Sequence, residues 1–559
     1  MSTTIERIAG WASGLELEAV PEAVIERSKL QLLSMVAAVY SGYPTRAARA
    51  VREVALMSRA RGRSTVLPMG DRTSVTMAVM ANAAASMALD YDDYLFMGHP
   101  GHCSVLASLA LAEEMGLGGR ELLRAQIAAN EAAGRLGASV ALGPQNGQLW
   151  THIHALGAAL AGALLLDLDT AASAHAMALA MYQPPLAMWP GFMGPDSKLL
   201  SAAYPARDGL YAARLASWGL RGPLDILDDR RGFGGHFADQ FLPAMLSGWG
   251  QSWVSHSLSF KIYPGCAYLD AALDALFDVR AQFAADNGRP LEPADVVSVE
   301  VDTGLLGSEM QRLADERAGE RISPVRVNFS FTLSLAVALR AGRLSPAELD
   351  EEALAAAGDS LRSLAERIRV RHDWRLTLKL VDALAAELPL RQVLAGVDLR
   401  RLLAPGRGGG GLQPAGLLAD LQPRDLLRLT ALLWQRAPEL MRQAGRAAAG
   451  GLGRLVGGGD QAALDLGRVR FERLVLPFSA RVTLRVRGDR SYRAEVELAR
   501  GAAGQDFAEV KGLVRKKFRD LAAPLLGQDK ADRAIALVDG LERLEDIGEL
   551  TAALRRDDD

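Results

Sequence analysis

Lysine is scarce in this sequence, with eight lysines against 55 arginines and only Lys198 and Lys261 between residues 30 and 378. Arginine is the default cation, so a lysine kept here suggests a place where a compact point charge, open to a pKa shift on burial, serves better than a flat guanidinium. Cysteine is scarcer still. Cys103 and Cys266 are the only two, which excludes a disulfide framework and points to a reducing, cytoplasmic setting. The first residues lack the basic-then-apolar order of a signal peptide. Apolar windows such as 74–89 and 155–166 are alanine-rich and too short for a membrane span. A net charge of −3 gives no general attraction to nucleic acid or anionic membrane. There is no HExxH, no paired CxxC, no GxGxxG between a strand and a helix, and no Walker loop. Zinc-hydrolase, dinucleotide and phosphate-loop chemistries therefore have no support, and no metal is expected.

The 559 residues, 49% of them apolar, suggest a soluble protein of several domains. Residues 1–260 read as almost wholly helical. The stretch from Pro21 to Tyr40 carries apolar residues at helical spacing. Residues 261–375 add strand candidates at Val296–Val301 and at Ile368-Arg-Val-Arg, and Ser345-Pro-Ala-Glu348 opens a helix. This is a smaller α+β domain. Residues 376–472 are rich in leucine, arginine and glycine and read as a helical, glycine-linked insertion. Residues 473–500 alternate around Gly488-Asp489 as a β-hairpin returning to the α+β domain. Residues 501–559 are helical again. The expected fold class is mainly α with a smaller α+β domain.

Seven of the eight histidines fall between His99 and His256. Four constellations concentrate the chemistry. Leu89-Asp-Tyr-Asp-Asp93 leads into His99-Pro-Gly-His102-Cys103. Aspartates at the C-terminal end of a helix oppose its dipole, a cost that suggests a use. On a continuing helical turn Asp90 and Asp93 share a face and Asp92 does not. Pro100-Gly101 places His99 on a loop. The second constellation is Trp150-Thr-His-Ile-His154, where a helix allows only one of His152 and His154 to face a cleft. The third and fourth are Asp196-Ser-Lys198 and Lys261-Ile-Tyr-Pro-Gly-Cys266, the latter at the domain boundary. Two lysines and one or two histidines suit binding of a carboxylate and movement of a proton on it. The plain alternatives are capping, turn chemistry and core histidines. A Cys266 nucleophile lacks a visible base.

The four segments in this order resemble the MmgE/PrpD family, which includes 2-methylcitrate dehydratase, cis-aconitate decarboxylase and iminodisuccinate epimerase. Ser197-Lys198-Leu-Leu, Gly219-Leu-Arg-Gly-Pro223, Lys517-Phe-Arg-Asp-Leu-Ala and Ile535-Ala-Leu-Val extend the likeness. The resemblance implies a large helical domain made from both chain ends, an α+β lid, a homodimer, and a pocket without metal or cofactor. It implies catalytic roles for Asp90, His99, His152 or His154, Lys198 and Lys261. Asp93, Tyr94, Tyr263 and Cys266 in the same motifs are candidate substrate-binding positions. Tyr94 stands where the family has threonine, and Leu333 stands near the place of a lid tyrosine. The leading expectation is a dehydratase acting on a carboxylated small molecule, with decarboxylation or epimerisation as the runner-up. A further alternative is a non-catalytic member whose insertion binds a partner.

Overall fold

Alanine-rich helices lie at the centre of the molecule because small side chains let their backbones approach. Val75–Ala88, Gly101–Met115 and Thr151–Leu165 are buried over all or nearly all of their length. Leu200–Ser217 crosses Thr151–Leu165 so closely that a Cβ at Gly209 would collide with the Ala155 carbonyl. A Cβ at Gly42 would likewise meet the Ala85 carbonyl, where Glu22–Gly42 packs on Val75–Ala88. The computed structural model describes residues 2–143, 151–389 and 466–557, with five positions between 423 and 434. Most of the expected insertion lies outside the described residues. Its start is the helix Trp374–Glu387.

The chain is mainly α with a smaller α+β part. Both chain ends contribute to the helical part, since Phe507–Leu526 lies against Glu22–Gly42 and its Lys517 Nζ donates to Ser34 Oγ at 3.0 Å. The α+β part is built on a four-stranded sheet. Its strands are β5 (Val296–Thr303), β6 (Ile368–His372), β7 (Ala480–Val486) and β8 (Arg490–Val496), in spatial order β6-β5-β7-β8. β5 runs parallel to β6 and antiparallel to β7, so residues beyond the insertion return to this sheet. The β7–β8 turn has positive φ at Gly488 (82°) and Asp489 (56°), a backbone that glycine and aspartate tolerate. The helix Asp270–Asn287 covers one face, with Phe283 edge-on to Tyr492 at 5.7 Å.

Two features depart from the expectation of near-total helix before residue 260. Strands β1 (Ser64–Val66) and β2 (Asp71–Thr73) form a short hairpin. Residues 218–258 hold only the short helix Phe233–Phe237 and two 3-10 turns. Eight glycines and prolines between Gly219 and Gly248 explain the second departure, because each weakens or breaks helix. No described helix is long and apolar enough to cross a membrane.

Candidate active site

The site begins where a helix stops. Val75–Ala88 ends at Leu89, and Asp90 takes a left-handed backbone with φ 53°. Aspartate is among the few residues that accept this conformation at modest cost. The turn reverses the expected geometry. Asp90 and Asp92, rather than Asp90 and Asp93, present their carboxylates to the same lysine. The next two residues form β3 (Asp93–Tyr94), paired antiparallel with β4 (Ser259–Phe260). That two-residue ladder brings Lys261 beside Asp92, with the Lys261 N–H donating to the Asp92 carbonyl at 3.2 Å.

Four buried charges result. Lys261 Nζ donates to Asp90 Oδ2 at 2.8 Å, to Asp92 Oδ1 at 2.6 Å and to the Asp90 carbonyl at 2.9 Å. Lys198, on the 3-10 turn Asp196–Leu199, donates to Asp90 Oδ1 at 2.6 Å and to the Met87 carbonyl at 3.1 Å, in the last turn of the helix before it. The ammonium thus serves a helix C-terminus as well as a carboxylate. It also lies 4.9 Å from the centre of the Phe329 ring. Burial pushes the Asp90 carboxyl up, but Lys198 and Lys261 more than reverse this and hold it at about 2. For Asp92 too, burial is outweighed by Lys261 and by histidine contacts, and its pKa falls well below the ordinary range. The Lys261 ammonium is held charged far above its usual range, since the two carboxylates overcome the cost of burial.

Asp92 also orients the imidazole of His99. His99 Nδ1 lies 2.9 Å from Asp92 Oδ2 and 2.9 Å from the Asp93 carbonyl. Both partners are acceptors, so Nδ1 carries the proton and Nε2 is the basic nitrogen of the neutral ring. His102 lies behind, with Nε2 3.1 Å from Asp92 Oδ2 and Nδ1 2.7 Å from Ser86 Oγ. It is fully buried, and burial lowers its pKa.

A cavity of about 300 Å³ opens against this cluster. Asp90, His99, Tyr94 and Cys266 lie on its wall. The remaining wall is almost wholly apolar. Leu306, Glu309, Met310 and Leu313 come from one face of the helix Leu305–Asp315, and Leu380 and Leu384 from Trp374–Glu387. Trp189, Phe192, Phe329 and Phe478 complete the aromatic part, with Phe192 and Phe329 centred 5.0 Å apart. Tyr268 lines the cavity beside Phe478, ring centres 4.7 Å apart.

Several expected site residues are elsewhere. Lys198 and Lys261 are fully buried and stand behind Asp90 rather than on the wall. Asp93 points away into a polar core cluster, where Gln31 Nε2 donates to its Oδ2 at 2.8 Å. Burial first, and then the Asp92 charge, raise its carboxyl to about 7. Tyr263 donates to Asp274 Oδ1 at 2.8 Å and is bonded by Arg500, so its hydroxyl is committed outside the cavity. On the helix Thr151–Leu165, His152 and His154 face different neighbours, and neither reaches the cavity wall. His152 stacks edge-on against Phe233 and Phe237, and burial lowers its pKa to about 3. His154 packs edge-on against His102, ring centres 5.5 Å apart, and burial pushes its pKa well down. Burial raises the Cys266 thiol to about 12, which removes it as a ready nucleophile. Leu333 is buried away from the cavity.

Sequence reasoning missed Asp92, because a continued helix would have turned it away. It also missed a role for Lys517. That amine donates to the Tyr91 carbonyl at 2.6 Å and to the Lys261 carbonyl at 3.2 Å, tying the aspartate turn to the Lys261 segment. Burial lowers it to about 7. The scarcity of lysine was the signal that could have found it.

Comparison with known proteins agrees with the ordered motifs. The MmgE/PrpD N-terminal domain matches residues 6–245 and the MmgE/PrpD C-terminal domain residues 263–394. Cis-aconitate decarboxylase of Homo sapiens is 27% identical over 314 residues, covering 53% of this chain and 63% of the relative. The cis-aconitate decarboxylase of Mus musculus is 27% identical over 311 residues, covering 53% and 62%. That of Aspergillus terreus is 24% identical over 304 residues, covering 50% and 61%. The matched stretch therefore spans less than two thirds of each of these relatives.

Proposed function

Because the chain belongs to the MmgE/PrpD family, we propose that it is a cofactor-independent lyase that removes carbon dioxide from a carboxylated substrate through a stabilised carbanion. The observation that carries this reading is the Asp92–His99 pair on the edge of the cavity, with Nδ1 committed to Asp92 and Nε2 left as the working nitrogen. Asp92 stays ionised beside His99 Nδ1, and in the step proposed Nε2 carries a proton taken up from water. The bond to the carboxylate carbon breaks and its electron pair stays on the substrate as an enolate-like carbanion. His99 Nε2 then delivers the proton that replaces carbon dioxide. The buried ammonium groups behind Asp90 offset the negative charge that the substrate brings.

Dehydration is the second reading. It needs a base and a separate acid, whereas decarboxylation needs one proton donor. His99 is the only imidazole on the wall among the described residues, which favours the simpler demand, as do the names of the relatives. The test is carbon dioxide release from unsaturated and β-keto acids in deuterium oxide. One deuterium in the product, lost with His99→Gln, supports the reading. Alkene formation without carbon dioxide would replace it with dehydration.

The enzyme is also proposed to work as a homodimer. Tyr204, Tyr211, Leu215 and Trp218 form one exposed stripe along Leu200–Ser217 and its cap, and Trp218 is 91% exposed. Such an apolar stripe is costly in water unless covered. Sedimentation of the Tyr211→Glu, Leu215→Glu variant as a monomer, with native protein sedimenting as a dimer, supports this assignment.

A further inference from the structure

We infer that Tyr268 is a further catalytic residue, whose phenol O–H donates to the substrate oxygen on which negative charge gathers in the carbanion; this rests on the lyase reading of the same cavity. A comparison of the four phenols around the site is the first argument. Tyr91 donates to the Ile262 carbonyl at 2.8 Å, and Tyr263 to Asp274 Oδ1 at 2.8 Å. Tyr94 has the Ser259 hydroxyl beside its phenol. Tyr268 is half-buried on the cavity wall, and its hydroxyl has no hydrogen-bond partner among the described residues. A partly desolvated donor without a partner forfeits a hydrogen bond, and a ligand oxygen in the cavity would restore it.

Placement is the second argument. Tyr268 sits on the 3-10 turn Ala267–Leu269, and its ring stands edge-on to Phe478 with centres 4.7 Å apart. Phe478 lies 6.1 Å from the Tyr94 ring, which is 6.4 Å from that of His99. Phenol and imidazole thus share the wall of one cavity of about 300 Å³, room for a single small ligand. The third argument is protonation. Burial first, and then the Cys266 thiol, push the Tyr268 phenol above its ordinary range, and the Lys261 charge offsets this only in part. The phenol therefore keeps its proton at neutral pH and serves as a donor. As the bond to the departing carboxylate breaks, carbon dioxide leaves and the electron pair passes through the adjacent carbon to an oxygen of a neighbouring carbonyl or carboxyl group. Tyr268 hydrogen-bonds that oxygen without giving up its proton. His99 Nε2 then protonates carbon, and the charge leaves the oxygen. The substrate class is an acid with a second carboxyl or a carbonyl group placed to receive the electron pair.

The experiment is calorimetric titration of the full chain with the freshly ionised nitronate of 3-nitropropanoate. A nitronate has a planar carbon and charge on two oxygens, as the carbanion does, and it loses no carbon dioxide, so binding is read apart from turnover. Tyr268→Phe keeps the ring and removes the donor, and should weaken binding about tenfold or more. With 3-fluorotyrosine in place of Tyr268, nearly the same shape but a stronger donor, binding should tighten about two- to fourfold. A residue that only packs would move neither value. Equal binding by native protein and Tyr268→Phe, no tightening with 3-fluorotyrosine, or no binding by native protein overturns the inference. If Tyr268→Phe does not fold, the 3-fluorotyrosine protein decides. Carbon dioxide release by native protein, with nitronate binding indifferent to residue 268, leaves the lyase reading intact and removes Tyr268 from it. The expected nitronate results without carbon dioxide release from any acid overturn decarboxylation alone, because dehydration passes through the same kind of anion and the role of Tyr268 holds.

Discussion

The two walls of the cavity differ in origin and in composition. One wall is a single short stretch, Asp90 to His99, set at the end of a buried helix and backed by Lys198, Lys261 and Lys517 from three distant segments. The other is assembled from Leu305–Asp315, Phe329, Trp374–Glu387 and residues 476–478, and offers almost only hydrocarbon. In the proposed function, the contrast teaches that chemistry and selectivity are carried separately. The charged wall is over-determined, with each carboxylate oxygen of Asp90 and Asp92 held by a lysine or histidine.

The largest effect should come from breaking the charged wall. Lys261→Met leaves two buried carboxylates short of their main cation, and should cost about 3–5 kcal/mol of stability and all measurable turnover. Urea denaturation with an activity assay checks both. Next is His99→Gln, which keeps the ring's neighbours but removes the nitrogen proposed as the proton donor. The rate should fall by about 10²- to 10⁴-fold, with the melting temperature nearly unchanged because this side chain is partly exposed. An equal fall in melting temperature would mean that the histidine serves packing instead.

The opposite wall should respond differently. Met310→Ala should raise KM several-fold and leave kcat close to native, since it removes binding surface and no proton donor. A loss confined to kcat would erase the distinction between the walls.

Two smaller effects concern groups that belong to neither wall. The folded pKa of Asp93, about 7, lies above its unfolded value of 3.8. The native state therefore keeps a proton that the unfolded chain gives up. This contribution to stability is full below pH 3.8 and is lost as pH rises through about 7. Asp93→Asn should flatten the decline in stability between pH 5 and 8, read by denaturation at each pH. The smallest change is expected for His152→Phe. The ring already stacks on two phenylalanines and has no described hydrogen bond at Nε2. At pH 7 the substitution should alter stability by about 1 kcal/mol or less. Its folded pKa of about 3 lies below the ordinary 6.5, so the native protein loses stability from this group as pH falls from about 6.5 towards 3. The variant should lose that acid sensitivity.

Much of the fold was legible because its signals are local. Ser74 opens the helix Val75–Ala88, Pro21 immediately precedes Glu22–Gly42, and Gly488-Asp489 turns the β7–β8 hairpin, each from the conformational preference of a few residues. The site was legible only as a set of residue types. Asp93 was favoured over Asp92 on the assumption of a continuing helix, and one left-handed residue reversed the choice. His152 and His154 have the chemistry of acid–base groups, but both are buried among other neighbours on the helix Thr151–Leu165 and neither meets the cavity. Tyr263 sits in a site motif, yet Asp274 and Arg500, distant in sequence, claim its hydroxyl.

By itself the sequence determined the helical scaffold, the strands that join the α+β sheet, and the short list of scarce lysines, histidines and aspartates among which the chemistry lies. These follow from backbone preference and hydrophobic spacing, which act over a few residues. Tertiary structure alone decided which aspartate faces Lys261, which histidine reaches the cavity wall, and that hydrocarbon fills the wall opposite. Those outcomes depend on a two-residue ladder between Asp93–Tyr94 and Ser259–Phe260, and on burial that sets each charge by its neighbours, neither of which any local stretch of sequence contains.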